Sequence, residues 1–299
     1  MRIITPTIIT DAMLTSSTLT EDDYAVWLVG TTFAEDEYCI VIGTTHKVYR
    51  SIQAANTGND PVADDGTWWQ EIGATNRWKP FDNKTSAQAT GTTSITYVFD
   101  NLGMVDGVAL LGLAAETARL VITDDGEDVY DQTISLTDTG IVFDWYTFFF
   151  EPRTFSSKLI FPNVPAYFEA TYTITVAGTG TVKLGQLILG RDYEIGTTIH
   201  GSGLGLSDFS RKDRDGFGNA ILVEGQFAQT VDFDAKIYTR SADRVFKLLA
   251  SRRASPTVYY AGEDTDKFST TVFGYFEDFS ILLSTPVLSD INIEVQELT

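Results

Sequence analysis

Apolar and polar residues alternate along most of the chain, in short runs separated by Gly, Asp, Asn and Pro. Such alternation is typical of strands with one buried face. The clearest case is residues 170–177 (ATYTITVA), where Tyr172, Ile174 and Val176 fall on the same side. The pattern therefore predicts an all-β protein made of many short strands.

Turn residues predict two strand connections. Arg119–Ile122 and Val129–Ile134 flank the sequence DDGED, whose Asp-Gly pair suits the positive φ angles of a tight hairpin turn. The sequence Gly-Thr-Gly at 178–180 predicts a second turn, between Thr171–Ala177 and Val182–Leu189. Both connections would join antiparallel strands.

Two segments are apolar at nearly every position and predict core strands. Residues 105–113 (VDGVALLGL) favour a central strand buried on both faces, with Ala118–Thr123 and Val129–Ile134 as its neighbours. Trp145–Phe150 (WYTFFF) is expected to be another core strand. Exposed at the surface, the same aromatic cluster would instead be a protein–protein contact, because aromatic residues concentrate at the centres of interfaces.

Helical periodicity is scarce, and the best example lies near the C-terminal end. In Ser241–Ala254, Val245, Leu248 and Leu249 share one face, and Ser241 is a suitable N-cap residue. The spacing predicts one amphipathic helix in an otherwise β-rich chain.

Composition changes along the chain and suggests three units. We expect a small aromatic-rich unit at residues 1–76, a β-sandwich at 77–190, and a second β-rich unit carrying the helix at 191–299. No low-complexity linker separates these units, so we expect them to pack directly on one another.

The charge balance excludes several functions. The chain has 21 Lys and Arg against 41 Asp and Glu, a formal net charge of −20, with one Cys and two His. A surface this acidic repels phosphate backbones, so we expect no nucleic-acid partner. One Cys cannot form an internal disulfide, and the soft ligands are too few for a structural zinc site. The longest apolar run is far too short for a membrane span, and no signal peptide is recognisable at the start.

No arrangement of residues predicts catalysis or a cofactor. His46 and His200, the two imidazoles, have no recognisable triad partners. Residues 213–224 approach the spacing of a calcium loop, but Phe217 stands where an oxygen ligand belongs, so a β-turn explains the segment better. We therefore expect a protein that is not an enzyme and that holds neither metal nor cofactor.

The first unit carries a recognisable aromatic pattern. A Trp is followed by Thr-Thr-Phe, a hairpin ending in Tyr, the run NTGNDP and a final Trp pair. This pattern resembles the small chitin- and cellulose-binding modules of the family 5/12 type, which fold as twisted antiparallel sheets. The resemblance implies a sugar-stacking platform at Trp27, Tyr49, Trp68 and Trp69. The alternative is that these aromatic residues form the core of a small module that has little other core.

The remaining chain resembles virion proteins of tailed bacteriophages, particularly tail-associated ones. The resemblance rests on NRWKPFD at 76–82, on VDGVALLGL and the strands after it, and on short motifs around Glu194, Asp208 and Leu288. It implies a galactose-binding-like jelly roll at 77–190 and a non-enzymatic role in the tail, neck or baseplate. It also implies residence in the virion after synthesis in the host cytoplasm.

Basic residues cluster in the third unit and suggest where copies meet. On an acidic chain, such clusters favour contact with an acidic neighbour, another copy of the same protein included. The candidate interface residues are Arg211, Lys212, Arg214, Arg240, Arg244, Arg252 and Arg253. The expected partners are thus copies of the chain and other virion proteins; the alternative function is an adhesin that contacts a host surface glycan.

Overall fold

The computed structural model describes residues 1–43, 45–137, 144–150, 154–199, 201–214, 216–262 and 270–298. Strands make up 53% and helices 8% of the protein, which confirms the mostly-β prediction. The strands of the first half are β1 Arg2–Pro6, β2 Leu14–Ser17, β3 Thr32–Phe33, β4 Tyr38–Val41, β5 Lys47–Ser51, β6 Asn56–Thr57, β7 Trp69–Ala74, β8 Ala89–Phe99, β9 Gly107–Leu111, β10 Thr117–Asp124 and β11 Glu127–Ser135. The helices and strands of the second half are α1 Trp145–Phe150, β12 Lys158–Ile160, β13 Thr171–Leu184, β14 Gln186–Glu194, β15 Thr197–Thr198, β16 Gly203–Asp208, β17 Arg211–Arg214, β18 Ala220–Val223, β19 Phe227–Tyr238, α2 Ala242–Ser251, β20 Thr257–Tyr260, β21 Val272–Leu282 and β22 Leu288–Glu297. Short 3₁₀ turns lie at Lys79–Phe81 and Thr239–Ser241.

Two antiparallel sheets dominate the fold. The large sheet has ten strands in the order β12-β9-β14-β1-β20-β21-β22-β19-β15, with β16 also pairing to β19. It curls into a half-barrel. The second sheet has five strands in the order β11-β10-β13-β8-β2. Three small sheets, β4-β5-β7, β3-β6 and β17-β18, complete the described strands.

The first hydrophobic core lies between the five-stranded sheet and the β12-β9-β14 part of the large sheet. Tyr172, Ile174 and Val176 are fully buried in it, which confirms the predicted face of β13. Leu110 of β9 and Leu187 of β14 enter the same core from the other sheet. Alternation along each strand thus supplies one inward face to a two-layer arrangement.

The segment VDGVALLGL forms the predicted buried strand, but its neighbours are different. All five residues of β9 are buried, and β9 pairs with β12 and β14. The expected neighbours β10 and β11 form a hairpin in the opposite sheet. The prediction failed because adjacency in sequence does not distinguish two strands in one sheet from two strands facing each other across a core.

The Asp-Gly hairpin is confirmed, whereas the Gly-Thr-Gly turn is wrong. Asp125 and Gly126 have φ angles of 49° and 84° between β10 and β11. Strand β13 instead continues through residues 178–180, with only a register irregularity after Ala177. The chain bends at Gly185 and passes from the five-stranded sheet to the large sheet. A Cβ at this position would lie 2.9 Å from the Leu111 carbonyl oxygen, so the close approach requires glycine.

Helix α2 covers the second core. Val245 and Leu249 are buried against Phe233 and Ile293 of the large sheet, so the predicted amphipathic helix is confirmed. Ser241 precedes the helix without making a side-chain cap bond. On β14, Leu187 and Leu189 lie in the first core and Tyr193, on the same side of the strand, packs against the second, so both cores lie on the same face of the large sheet.

The opposite face of the large sheet carries a third, smaller core. It includes Ile4, Ile188, Val258 and Phe273 from four neighbouring strands.

The Lys158 ammonium donates to Gln229 of β19 (2.9 Å) and Glu297 of β22 (2.8 Å). Because β12 lies at the far end of the sheet from β19 and β22, this contact ties together distant parts of the curl.

Strands from all three predicted units share the large sheet. Strand β14 continues from residue 186 to residue 194, and β1 inserts between β14 and β20. That the chain divides into three units at residues 76 and 190 remains a prediction.

Candidate functional surfaces

The four predicted sugar-binding aromatic residues gather in one cluster of the N-terminal region. Tyr49 and Trp69 are buried with Phe33, and Trp27 and Trp68 pack half-buried against them. The Trp69 ring meets Phe33 edge-on at 5.0 Å, and its indole N–H donates to the Asn59 carbonyl. Burial leaves Tyr49 and Trp69 no free ring face, so only Trp27 and Trp68 could stack on a sugar. Sugar binding stays a prediction.

The motif NRWKPFD joins this cluster region to the five-stranded sheet. Asn76 exchanges two hydrogen bonds with the backbone of Thr90 on β8, at 2.8 and 2.9 Å. Trp78 stacks on the His46 imidazole at 4.1 Å and meets Phe81 edge-on at 5.6 Å. The residues that carry the bacteriophage resemblance therefore hold the fold together.

His46 lies beside two carboxylates of the N-terminal region. Its Nδ1 atom lies 3.0 Å from Glu21 Oε1, and its Nε2 atom lies 3.7 Å from Asp11. The Thr75 hydroxyl donates to Glu21 at 2.7 Å, so this hydroxyl bonds to the carboxylate and not to the imidazole. His200 lies outside the described residues. Across the described ranges, no group of three or more His, Cys, Asp or Glu side chains could hold a metal ion.

Three of the predicted interface residues lie on a β-ribbon. We use "the ribbon" for residues 203–214 and 216–230, in which β16 pairs with β19 and β17 pairs with β18. Arg211 is bonded to Asp213 at 2.8 Å, and Lys212 to Asp208 at 2.6 Å. Arg214 donates to the Gly218 carbonyl. Two of the three charges are thus already neutralised by the ribbon's own acids.

The ribbon exposes apolar side chains as well as basic ones. All residues of β17 and β18 are exposed. Asp208 stands opposite Phe227 and Leu204 opposite Val231, so Leu204, Leu206 and Phe227 share one face. We call these three exposed residues the apolar strip. It extends the second core, to which Val231 belongs, out to the surface.

The other four predicted interface residues surround helix α2. The Arg240 guanidinium lies 5.1 Å from the centre of the Tyr238 ring. Arg244 donates to the Glu194 carbonyl at 3.4 Å, and Arg252 is partly buried. Arg253 is exposed beyond the helix end. The structure therefore separates the predicted set into a ribbon group and a helix group.

The aromatic segment 145–150 is a short helix at the surface, so the predicted core strand is wrong. Trp145, Tyr146, Phe149 and Phe150 are between 66% and 79% exposed. The Trp145 ring stacks with Phe149 at a ring-centre distance of 6.2 Å, and the Tyr146 ring is tilted against Phe150 at 4.9 Å. This i,i+4 pairing orders the rings on α1 without burying them. The exposed alternative, a protein–protein contact, is the one compatible with this placement.

A polar cavity of about 380 Å³ opens on the face of the large sheet that carries the third core. Arg2 stands opposite Tyr260, and Ile4 opposite Asp192, so the three polar side chains lie on that face. Asp192 Oδ2 accepts from Arg2 Nε at 2.8 Å and from the Tyr260 hydroxyl at 2.7 Å. Asp106 Oδ1 accepts from the Asp192 backbone N–H at 2.6 Å.

Asp192 is the most unusual group in this cavity. Burial raises the pKa of its carboxyl above the ordinary value, although Tyr260 and Arg2 both favour the ionised form. Its Oδ1 atom is buried and has no hydrogen-bond partner among the described residues. Sequence inspection missed this site because Arg2, Asp192 and Tyr260 are far apart in the chain, and only the pairing of β1 with β14 and β20 brings them together.

Comparisons with known proteins assign the chain to no family. No family model matches it, and no curated protein sequence matches it significantly. In the described part of the chain, no helix is long and apolar enough to cross a membrane.

Proposed function

We propose that this protein is a non-enzymatic structural component of a tailed-bacteriophage particle, in the tail, neck or baseplate, and that its copies assemble into a symmetric ring. The motifs NRWKPFD and VDGVALLGL support the bacteriophage part of this proposal. The assembly part is supported by the ribbon and by the aromatic rings of α1.

The observation that carries the proposal is the apolar strip on the ribbon. A two-stranded hairpin is marginally stable in water unless another layer covers one of its faces. Here β17 and β18 are exposed on both faces, and the apolar strip lies uncovered beside them. Exposed apolar side chains grouped in this way are typical of an interaction site. The ribbon therefore fits a contact that forms on assembly.

The occupant that best fits the ribbon is a second copy of the chain. Residues 203–230 contain four acids and three bases, so the ribbon is nearly neutral on a chain of net charge −20. Electrostatic repulsion between two acidic copies is weakest where the local net charge of the surface is smallest. A ribbon of one copy seated on a different surface of the next makes a head-to-tail contact, and such contacts form a ring when the rotation between copies closes.

The finer fold proposed for residues 77–190 is the galactose-binding-like jelly roll. The five-stranded sheet and the β12-β9-β14 part of the large sheet enclose the first core with eight antiparallel strands, of which residues 77–190 supply seven and the N-terminal region supplies β2. Eight strands in two packed sheets is the number expected of a jelly roll. In this proposal the sandwich supports the ribbon and takes no part in catalysis.

The helix group of basic residues is proposed as a secondary contact. Residues 239–256 contain five bases and one acid, whereas residues 1–76 contain three bases and eleven acids. This asymmetry favours contact of the α2 surface with an acidic region of a neighbouring protein.

Sedimentation velocity over a wide concentration range, together with mass spectrometry of purified virions, tests the function. We expect concentration-dependent association and a protein present in many copies in each particle. A chain that stays monomeric at every concentration and is absent from virions would overturn the proposal.

A further inference from the structure

A second exposed apolar surface lies at the turn between β21 and β22. Residues 282–288 (LLSTPVL) contain no charged residue, and Leu282, Leu283, Val287 and Leu288 are all exposed. Tyr238, the last residue of β19, stands opposite Leu288 and is exposed as well. We call these five residues the tip patch. Like the apolar strip, the tip patch is a group of exposed apolar side chains, which is typical of an interaction site.

The tip patch and the apolar strip lie at opposite ends of one strand. Strand β19 begins at Phe227 of the strip and ends at Tyr238 of the tip patch. Its 12 residues separate these two ends by roughly 36 Å, at about 3.3 Å per residue. One copy therefore cannot place its own strip on its own tip patch, and a contact between the two surfaces requires two copies.

The two surfaces also lie on opposite faces of the large sheet. Phe227 is four residues from Val231, so it shares the face of the second core, to which Val231 belongs. Tyr238 is an odd number of residues from Val231 and lies on the other face. Leu282 stands opposite Asp290, two residues along β22 from the partner of Tyr238, so it lies on that other face too. Two copies can thus overlap, one face against the opposite face of the next, without either copy being turned over.

The local charges favour the same pairing. The ribbon, residues 203–230, has a formal net charge of −1. The segments that hold the tip patch, residues 236–240 and 280–291, contain two bases and one acid, a net charge of +1. On a chain of net charge −20, these two surfaces attract each other weakly, whereas two ribbons repel each other.

We infer that the tip patch is the surface on which the ribbon of the next copy is seated. The occupant is the apolar strip, Leu204, Leu206 and Phe227, of a second copy of this chain. This inference rests on the proposed assembly role and adds the receiving surface to it. A row of copies joined in this way has a free strip at one end and a free tip patch at the other, and a ring covers both when the rotation between copies closes.

Sedimentation velocity of two variants, alone and mixed, tests this inference. The strip variant carries Leu206→Ser and Phe227→Ser. The tip variant carries Tyr238→Ser and Leu282→Ser, at side chains that are 56% and 66% exposed. Each variant alone should associate about tenfold more weakly than the wild type or worse, because each lacks one side of the contact. An equimolar mixture should form pairs and nothing larger, since the intact tip patch of the strip variant receives the intact strip of the tip variant.

Phe168→Ser is the matched control. Phe168 is exposed to a similar extent as Leu282 but precedes β13 of the five-stranded sheet, so its replacement should leave association unchanged. Thermal denaturation shows whether each variant is folded. If a double variant unfolds, the single changes Leu206→Ser and Leu282→Ser take its place in the same measurements.

Three results would overturn the inference. The first is a tip variant that associates as strongly as the wild type while the strip variant does not, which would leave the ribbon as a contact but seat it elsewhere. The second is a tip variant that associates normally but is lost from purified virions, which would assign the tip patch to a different virion protein. The third is a mixture of folded variants that forms no pairs. A wild-type chain that stays monomeric at every concentration would contradict the proposed assembly itself, and the inference with it.

Discussion

Replacement of Leu206 and Phe227 by Ser should weaken association between copies without unfolding the protein. Both side chains belong to the apolar strip, and they are 61% and 57% exposed. A side chain that contacts mostly solvent contributes little to the folded chain, so its loss acts on the assembled state.

The size of the effect follows from the area that assembly would cover. Full burial of a Leu or Phe side chain is worth about 1.5–3 kcal/mol, and somewhat more than half of each side chain remains to be covered. The pair therefore accounts for about 2–4 kcal/mol per contact, or about a 30- to 1,000-fold change in dissociation constant.

Sedimentation velocity measures this change, and thermal denaturation checks the fold. Leu28→Ser is the matched control, because Leu28 is 63% exposed but lies in the N-terminal region away from the ribbon. We expect Leu28→Ser to associate like the wild type. If the double variant associates as strongly as the wild type, or if both changes weaken association equally, the ribbon is not the contact between copies.

Four further predictions concern charge, burial and pH. Raising the salt concentration should strengthen association in sedimentation velocity, because salt screens the repulsion between acidic copies and leaves an apolar contact intact. If salt instead weakens the association of copies, the basic groups are the main interface. Cys39 should resist a thiol reagent at neutral pH until the protein unfolds, because burial raises the pKa of its thiol to about 12; rapid reaction of the native chain would contradict its burial. Trp69→Ala should cost about 3–5 kcal/mol of unfolding free energy in urea denaturation, and Trp68→Ala clearly less; equal losses would contradict the assignment of Trp69 to the core and Trp68 to its edge. The free energy of unfolding of the wild type, compared with that of Asp192→Asn, should fall as pH rises from about 4 through the raised pKa of Asp192. The reason is that the folded state holds the Asp192 proton more tightly than the unfolded state does. A difference that stays constant or grows with pH would contradict the pKa shift.

Local patterns in the sequence were sufficient for the buried face of β13 and for the long helix. Alternation identified the buried face of β13, and helical spacing identified α2 with Val245 inward. Both features depend only on which residues along one segment avoid water, so they can be read without knowledge of the partner segment.

Pairing between distant segments was not predictable in the same way. Residues 178–180 have the composition of a turn, yet β13 runs through them because β8 continues to pair alongside. Trp145–Phe150 has the composition of a core strand, yet it lies at the surface. Tertiary contacts decide between such alternatives, and a single sequence does not encode them locally.

The candidate sites also differ in how much of each could be predicted from the sequence. The basic residues were visible in the sequence, but the pairing of Arg211 and Lys212 with Asp213 and Asp208 was not, and this pairing makes the ribbon a nearly neutral surface. The polar cavity was invisible because it needs three strands from separate parts of the chain.

A cryo-EM map of the intact particle tests the central claim most directly. We predict a ring of copies in the tail, neck or baseplate, with residues 203–230 of each copy covered by its neighbour. A map that places the protein in a ring but leaves the ribbon in solvent would contradict the assigned contact, and a particle that lacks the protein would contradict the structural role itself.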